Sequence, residues 1–148
     1  MLIPLTRLFA LLLVFCRGGA SSPMGYDVHI TRARHWTDSR AHPISLDEWK
    51  AYVRSDKEMR LDNRAQAVAT TGDTIVTESP GIAVWVPWKK DGVAGGHAWF
   101  SYGDGEITVK DPDRDILRKM FTIAVALHAR VQGDEGQTYD ANGDPHEP

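Results

Sequence analysis

The sequence predicts an α+β fold: a mainly antiparallel sheet of about five to seven strands, with two helices packed on one face. Three observations carry this prediction. Residues 97–110 contain two β-type runs around a Gly-Asp-Gly turn, which is a strong hairpin signal. Two segments, beginning near residues 45 and 111, have a helix-start signal followed by an apolar stripe. The β-type runs between them are contiguous in sequence, which favours antiparallel neighbours.

Length and composition are those of one globular domain. The chain has 148 residues, 42% of them apolar and 25% charged, and a net charge of −3. This mild acidity argues against nonspecific nucleic-acid or anionic-membrane binding, both of which favour a basic patch. The single cysteine, Cys16, lies in the N-terminal leader. Disulfides, zinc-thiolate sites and cysteine nucleophiles are therefore not expected in the folded part.

Residues 1–23 are interpreted as a leader and excluded from the fold. The apolar run 8–16 is too short to span a membrane but suits the core of a signal peptide. The alternative, which we favour, is a misassigned upstream start, with translation beginning at Met24. The protein would then be cytoplasmic, whereas a real signal peptide would make it periplasmic or secreted. In either case we expect no stable membrane insertion of the mature domain.

The first predicted strand and the first predicted helix follow the leader. Residues 26–31 alternate between polar and apolar side chains, as in a strand with one buried face. Residues 32–43 are polar and irregular and predict a loop. Ser45 is a good N-cap and Glu48 lies three residues later, so the pair predicts a capping box for a short helix ending near residue 55.

The second helix begins after the hairpin. Asp111 is the predicted N-cap and Pro112 the first helical residue. Gly-rich residues 89–96 predict a flexible loop before the hairpin, and residues 141–148 predict a disordered tail. The domain is thus assigned to residues 24–140. The apolar stripe of the second helix is Ile116, Met120, Ile123 and Leu127, and the further β-type runs are 59–61, 65–70, 74–77, 82–88, 129–132 and 137–139.

Several segments resemble a family of small uncharacterised bacterial α+β proteins. They are residues 26–32 (YDVHITR), 44–49 (ISLDEW), 98–113 (AWFSYGDGEITVKDPD) and 131–134 (VQGD). Members of that family begin at the methionine corresponding to Met24, which supports the misassigned start. The resemblance carries no catalytic residues, since the family has no established activity. Its small size and acidity are similar to those of immunity proteins that neutralise bacterial toxins, by analogy only.

This chain departs from the family at His128, where the family has a helix-ending glycine. We therefore expect the second helix to lose its left-handed cap.

No cofactor or metal site is predicted. None of the six histidines has the spacing of a metal-binding motif, and no phosphate-binding or dinucleotide-binding loop is present. The one weak catalytic candidate is His97, which follows two glycines and could act as a general base with Asp104 or Glu106 across the hairpin.

Aromatic residues on two neighbouring β-type runs give the main candidate surface. Successive side chains of a strand point to opposite faces, so one set faces away from the core. Either that set is buried because the second face of the sheet is also partly covered, or it forms an exposed patch for a protein partner. Acidic residues nearby suit a basic partner. The partner-binding candidates are Trp85, Trp88, Asp91, His97, Trp99, Asp104 and Glu106.

These features predict a small protein-binding module, and its more specific form is an immunity-type protein that neutralises a bacterial toxin by direct binding. Two alternatives stay open. One is a small, hydrolase-like enzyme that uses His97 with a nearby carboxylate, and the other is a structural subunit.

Overall fold

A computed structural model describes residues 26–90 and 96–148. The predicted leader lies outside these residues, as do residues 91–95 of the predicted Gly-rich loop. The two helices are α1 (Leu46–Ser55) and α2 (Arg114–Ala126), with one short 3₁₀ turn at Trp36–Asp38. The ten strands are β1 (Asp27–Thr31), β2 (Met59–Leu61), β3 (Arg64–Val68), β4 (Thr74–Glu78), β5 (Ala83–Trp85), β6 (Ala98–Gly103), β7 (Glu106–Lys110), β8 (Arg130–Gly133), β9 (Thr138–Tyr139) and β10 (Pro145–His146).

Eight of the strands form one sheet in the order β10-β9-β8-β1-β7-β6-β5-β2, and neighbouring strands pair antiparallel. The remaining strands, β3 and β4, pair with each other as a separate hairpin. The predicted α+β fold with a mainly antiparallel sheet is confirmed. The sheet reaches eight strands because two-residue strands extend it at the C-terminal end.

The core lies between one face of the sheet and the two helices. Val28 and Ile30 of β1 point to this face and are fully buried. Trp49 of α1 and Met120 of α2 are also fully buried in the same cluster. Burying a large apolar side chain contributes about 1.5–3 kcal/mol, so this cluster is the main source of stability. The opposite face of β1 carries His29, which is buried by a different part of the chain.

The predicted capping box of α1 is present. The Ser45 hydroxyl accepts from the Glu48 amide at 3.1 Å, and Glu48 Oε2 accepts from the Ser45 amide at 2.8 Å. The N-cap of α2 is Asp113, not Asp111: Asp113 Oδ1 accepts from the Ile116 amide at 2.9 Å. Asp111 has a different role because its carboxylate accepts from the Tyr26 amide at 2.8 Å, which fixes the start of β1.

The C-terminal end of α2 keeps a left-handed residue despite the loss of glycine. His128 has φ +53°, and the amides of His128 and Ala129 donate to the carbonyls of Val125 and Ala124. These two bonds are those of a Schellman motif. The expectation that histidine would remove the left-handed cap is therefore wrong, because the two backbone bonds hold the conformation.

The predicted disordered tail is instead part of the sheet. Pro145 and His146 of β10 pair with β9, and the Asp140 side chain organises the turn between them. Its carboxylate accepts from the Asn142 amide at 2.9 Å and from the Asp144 amide at 3.1 Å. Side-chain capping of the turn by aspartate explains why a polar, Pro/Gly-containing segment folds here.

Neither α1 nor α2 is long and apolar enough to cross a bilayer, and residues 26–90 and 96–148 contain no helix that is.

Candidate functional site

The structure places five of the seven predicted site residues at the two ends of the β6–β7 hairpin. Trp88, His97 and Trp99 lie at the open end, while Asp104 and Glu106 lie at the turn. The six residues of β6 separate the ends, and at about 3.3 Å a residue this is roughly 20 Å. His97 is therefore not brought next to either carboxylate. Asp91 lies outside the described residues.

An apolar pocket of about 200 Å³ occupies the open end of the hairpin. Trp88 is buried in its wall, and the indole Nε1 donates to Asp113 Oδ2 at 2.9 Å. The ring of His97 lies 5.2 Å from the ring of Trp99. Three sequence-predicted candidates thus share one pocket. We call it the apolar pocket; it is lined by Ala67, Trp88, His97, Ala98, Trp99, Val109, Lys110, Asp111 and Ile116.

The β3–β4 hairpin borders the apolar pocket and carries exposed apolar side chains. Ala67, which lines the pocket, pairs directly with Ile75. Directly paired residues of an antiparallel hairpin point to the same face, so Ile75 continues the apolar lining outwards. The side chain of Ile75 is 56% exposed, and those of Val68 and Val76 on the opposite face are also exposed.

Trp85 is placed differently from the other candidates. It packs against the core on the helix-covered face, and Lys119 Nζ lies 6.0 Å from its ring centroid. Lys119 itself binds the carboxylates of Asp56 and Glu58 at 2.7 and 3.1 Å. The indole nitrogen of Trp85 is buried and has no hydrogen-bond partner among the described residues. Trp85 is thus separate from the apolar pocket.

Near the turn end of the hairpin, a buried histidine lies between two carboxylates. His29 is 3% exposed, its Nδ1 lies 2.9 Å from Glu106 Oε1 and its Nε2 lies 2.8 Å from Asp134 Oδ1. Burial lowers the pKa of His29, but the hydrogen bonds to Glu106 and Asp134 outweigh this effect and the pKa is raised. An imidazole that faces carboxylates at both nitrogens is satisfied when it is protonated and donates twice.

Segment 32–43 covers this histidine and is tied to the sheet by hydrogen bonds. The Trp36 amide donates to Gln132 Oε1 at 2.6 Å, and its indole Nε1 donates to the Asp134 carbonyl at 3.2 Å. The Ser39 hydroxyl donates to Glu106 Oε2 at 2.8 Å. The segment predicted to be a loop is thus a fixed lid over the polar face of the sheet.

A polar cavity of about 240 Å³ opens beside Glu106. Glu106 is 8% exposed, and Asp104 lies in the turn with φ +53°. Arg40 donates from Nε and Nη2 to Asp104 Oδ1, at 3.0 and 2.7 Å. We call this the polar cavity; it is lined by Trp36, Thr37, Ser39, Arg40, Asp104 and Glu106. Within residues 26–90 and 96–148, no group of three or more histidine, cysteine, aspartate or glutamate side chains is arranged to hold a metal ion.

Sequence reasoning missed His29, Trp36 and Asp134. The alternation of residues 26–31 does place His29 on the polar face of β1, and this was the only signal available. That face was expected to be solvated, whereas Trp36 from the following segment covers it.

The chain matches no family model, no curated protein and no solved structure. The chemistry of the two sites is therefore the basis for assigning a function.

Proposed function

We propose that the protein is a protein-binding module whose contact surface is the apolar pocket together with the β3–β4 hairpin. One observation carries the proposal: the pocket continues through Ala67 to the 56% exposed side chain of Ile75. Exposing a contiguous apolar surface to water is unfavourable, and burying it against another molecule is favourable. Such patches mark interaction sites.

The shape of the surface favours one kind of contact. An apolar side chain of the partner enters the pocket against Trp88 and Trp99, and the partner's neighbouring residues pack on Ile75. Tryptophan at the centre of such a contact is typical of residues that dominate binding energy. Lys110 at the pocket wall is exposed and can face a polar group of the partner at the rim.

The more specific form of this proposal is an immunity-type protein that neutralises a bacterial toxin by direct binding. It is supported by the analogy in small size and by the net charge of −3. A cytoplasmic setting follows if translation begins at Met24, as in the family that the chain resembles.

The geometry does not support the form of the enzyme alternative in which His97 acts with Asp104 or Glu106. His97 and the carboxylates of Asp104 and Glu106 lie at opposite ends of the β6–β7 hairpin, too far apart for proton transfer between them.

Site-specific crosslinking tests the proposal. A photoreactive amino acid is placed at Ile75 and, as a matched control, at Val125 of α2, which is 60% exposed. We expect one protein to be captured in the native cell from position 75 and not from position 125. That protein is then purified, and its affinity for the unmodified chain is measured by calorimetry.

The Ile75→Asp variant should bind the purified partner at least about tenfold more weakly, because it places a charge in a desolvated apolar contact. Val125→Asp should bind as the unmodified chain does. Equal capture from both positions, or unchanged binding by Ile75→Asp, would contradict the proposal. For the toxin-neutralising form, the captured protein should inhibit growth when expressed alone and cease to do so when this chain is co-expressed.

A further inference from the structure

The β3–β4 hairpin has a free strand edge, that of β4, which lacks the usual protection against pairing with another chain. We propose that β4 pairs antiparallel with β4 of a second copy of this chain, so that two hairpins form one four-stranded sheet with its two-fold axis at Val76. The proposal does not rest on the protein-binding function. Strand pairing uses backbone groups at the edge of the hairpin and leaves open the face that bears Ile75.

The hydrogen bonds of the hairpin show which backbone groups are free. The Ser79 amide donates to the Asn63 carbonyl at 3.0 Å, which makes these two residues a hydrogen-bonded pair. Such pairs alternate along an antiparallel ladder with pairs whose amides and carbonyls point away from the partner strand. These outward groups have no hydrogen-bond partner among the described residues. On β4 the outward residues are Thr74, Val76 and Glu78.

The other free strand edges are protected, and the edge of β4 is not. The strand β10 has two residues and begins with Pro145, β2 has three residues and carries Arg60, and β3 begins at Arg64. Short strands, proline and charge are the devices that protect an edge from pairing.

In contrast, β4 offers a long and uncharged edge. It has five residues, all exposed, and the first four, Thr-Ile-Val-Thr, are β-branched residues that favour strands. Every copy of the chain carries this edge, so it always meets its own equivalent in solution. The missing protection therefore favours a second copy as the occupant.

The hairpin also needs additional strands to be stable. Two-stranded hairpins are at best marginally stable in water, whereas three or more strands with an apolar face are stable. All residues of β4 and four of the five residues of β3 are exposed. Val68 and Val76 share one face and are 65% and 46% exposed. A four-stranded sheet brings Val76 next to Val76 of the second copy and so covers part of this face.

The edge of β4 is complementary to itself in one register. When the strands overlap over all five residues, Val76 lies opposite Val76, Ile75 opposite Thr77, and Thr74 opposite Glu78. The outward residues then face each other in three pairs, and each pair exchanges two hydrogen bonds, about six in all. The two Glu78 side chains are four positions apart, roughly 14 Å, which exceeds the screening length of about 8–10 Å. Parallel pairing would instead place them side by side.

Charge complementarity at both ends of the contact favours the same register. Asp73 comes to lie opposite Ser79 of the second copy. Ser79 lines an open cleft at the base of the hairpin, together with Lys50 and Glu78. Among the described residues Lys50 forms no ion pair, and the Asp73 carboxylate accepts only from the Thr71 hydroxyl of its own turn. The hairpin tip of each copy thus brings a negative charge to a lysine of the other.

This arrangement closes at two copies. A two-fold contact uses the same surface on both chains, so pairing consumes both β4 edges. The outer strands of the new sheet are the two copies of β3, whose edges carry Arg64. Stable protein interfaces bury about 1,200–2,000 Å², and a single strand pair is a small contact by comparison, so we expect a dimer that dissociates in the micromolar range.

Two measurements on the full chain test the dimer. Sedimentation equilibrium from micromolar to millimolar concentration should show a reversible monomer–dimer equilibrium. Amide hydrogen exchange, followed by NMR, should show protection of the outward amides of Thr74, Val76 and Glu78 that increases with concentration. The outward amides of Gln66 and Val68 on β3 are the internal control and should remain unprotected.

Charged substitutions at the two-fold axis make the test specific. Val76→Lys places two lysines opposite each other and should weaken dimerisation at least about tenfold, because like charges directly across a strand pair repel. Val68→Lys is the matched control, since it adds the same charge to the same face of the same hairpin but on β3, away from the axis. It should leave dimerisation unchanged.

A mixture of two variants separates lost pairing from lost folding. Val76→Glu alone should also be monomeric, and an equimolar mixture of the Val76→Lys and Val76→Glu chains should form a heterodimer as tight as the unmodified dimer or tighter. Recovery in the mixture requires that both chains are folded and that position 76 faces itself across the axis.

Four results would overturn the proposal. These are a monomer at millimolar concentration, equal weakening by Val68→Lys, a mixture that does not restore the dimer, and protection of the β3 amides in place of those of β4. The measurements use this chain alone, so they are separate from the capture of a partner in the native cell. A second copy captured from position 75 is recognised by its mass and counts for the dimer.

Discussion

The imidazole of His29 lies flat against the indole of Trp36, with ring centroids 4.2 Å apart and ring planes 4° from parallel. The histidine comes from the polar face of β1 and the tryptophan from the segment that follows it. Stacking shields the ring from water on one side, while Glu106 and Asp134 bind both of its nitrogens. A titratable group is thereby fixed inside the protein, and it links segment 32–43 to β7 and to Asp134, the residue that follows β8.

The stability of the protein should fall as pH rises above neutrality. The pKa of His29 is raised, so its contribution is fully present below the ordinary pKa of about 6.5 and is lost as pH rises through the higher folded value. We expect the free energy of unfolding, measured by urea denaturation between about pH 6 and pH 9, to decrease across this range. His29→Gln should abolish the slope, whereas His146→Gln, at an exposed position, should retain it. A slope that survives His29→Gln would assign the pH dependence to another group.

Removing the carboxylate of Glu106 should destabilise the fold far more than removing that of Asp104, two residues away. Glu106→Gln takes a hydrogen-bonded charge from a buried imidazolium and should cost about 2 to 3 kcal/mol. Asp104→Asn breaks an exposed pair with Arg40 and should cost less than about 1 kcal/mol. Denaturation at pH 6.5 compares the two variants directly. Similar losses would mean that His29 does not depend on Glu106.

Local signals account for the features that the sequence predicts well. The capping box joins Ser45 and Glu48, which are three positions apart, and the turn of the β6–β7 hairpin is equally short-range. The contacts of His29 are long-range, because in sequence it lies 77 positions from Glu106 and 105 positions from Asp134. Only the pairing of β1 with both β7 and β8 brings these residues together, and strand order cannot be derived from alternation alone.

The same distinction explains the misassigned surfaces. Periodicity correctly placed His29 on the polar side of β1, but nothing local indicated that Trp36 would cover it. Similarly, the sequence predicts Glu106 as a partner-binding residue, whereas Ser39 and His29 enclose it. Burial of a polar residue depends on which distant segment packs over it, and a single sequence carries little information about that choice.

Gly81 should tolerate alanine much less well than Gly72, although both have nearly the same φ angle. Their φ angles are +90° and +88°. A Cβ at Gly81 would lie 2.8 Å from Leu46 Cδ1 and 2.9 Å from Tyr102 Cβ, whereas one at Gly72 would have nothing within 4 Å. The Gly81 carbonyl also accepts from the buried indole of Trp49 at 2.7 Å, which restricts any backbone shift.

Gly72→Ala should therefore cost about 1 kcal/mol, the strain of a left-handed alanine. Gly81→Ala should cost about 1–3 kcal/mol more, from overpacking against α1 and β6. Urea denaturation measures both. Equal losses would show that backbone strain alone sets the requirement for glycine at position 81.

Replacing His128 by glycine should stabilise the protein. His128 keeps φ +53° at the end of α2 because two backbone hydrogen bonds hold it there, and its Cβ is strained in that region. Glycine removes the strain but adds conformational freedom to the unfolded chain, so we expect a net gain of about 0.5–1 kcal/mol. His128→Ala is the control: it also removes the imidazole but keeps the Cβ, and it should give no gain. If alanine stabilised as much as glycine, the cost would lie in the imidazole side chain and not in the backbone conformation.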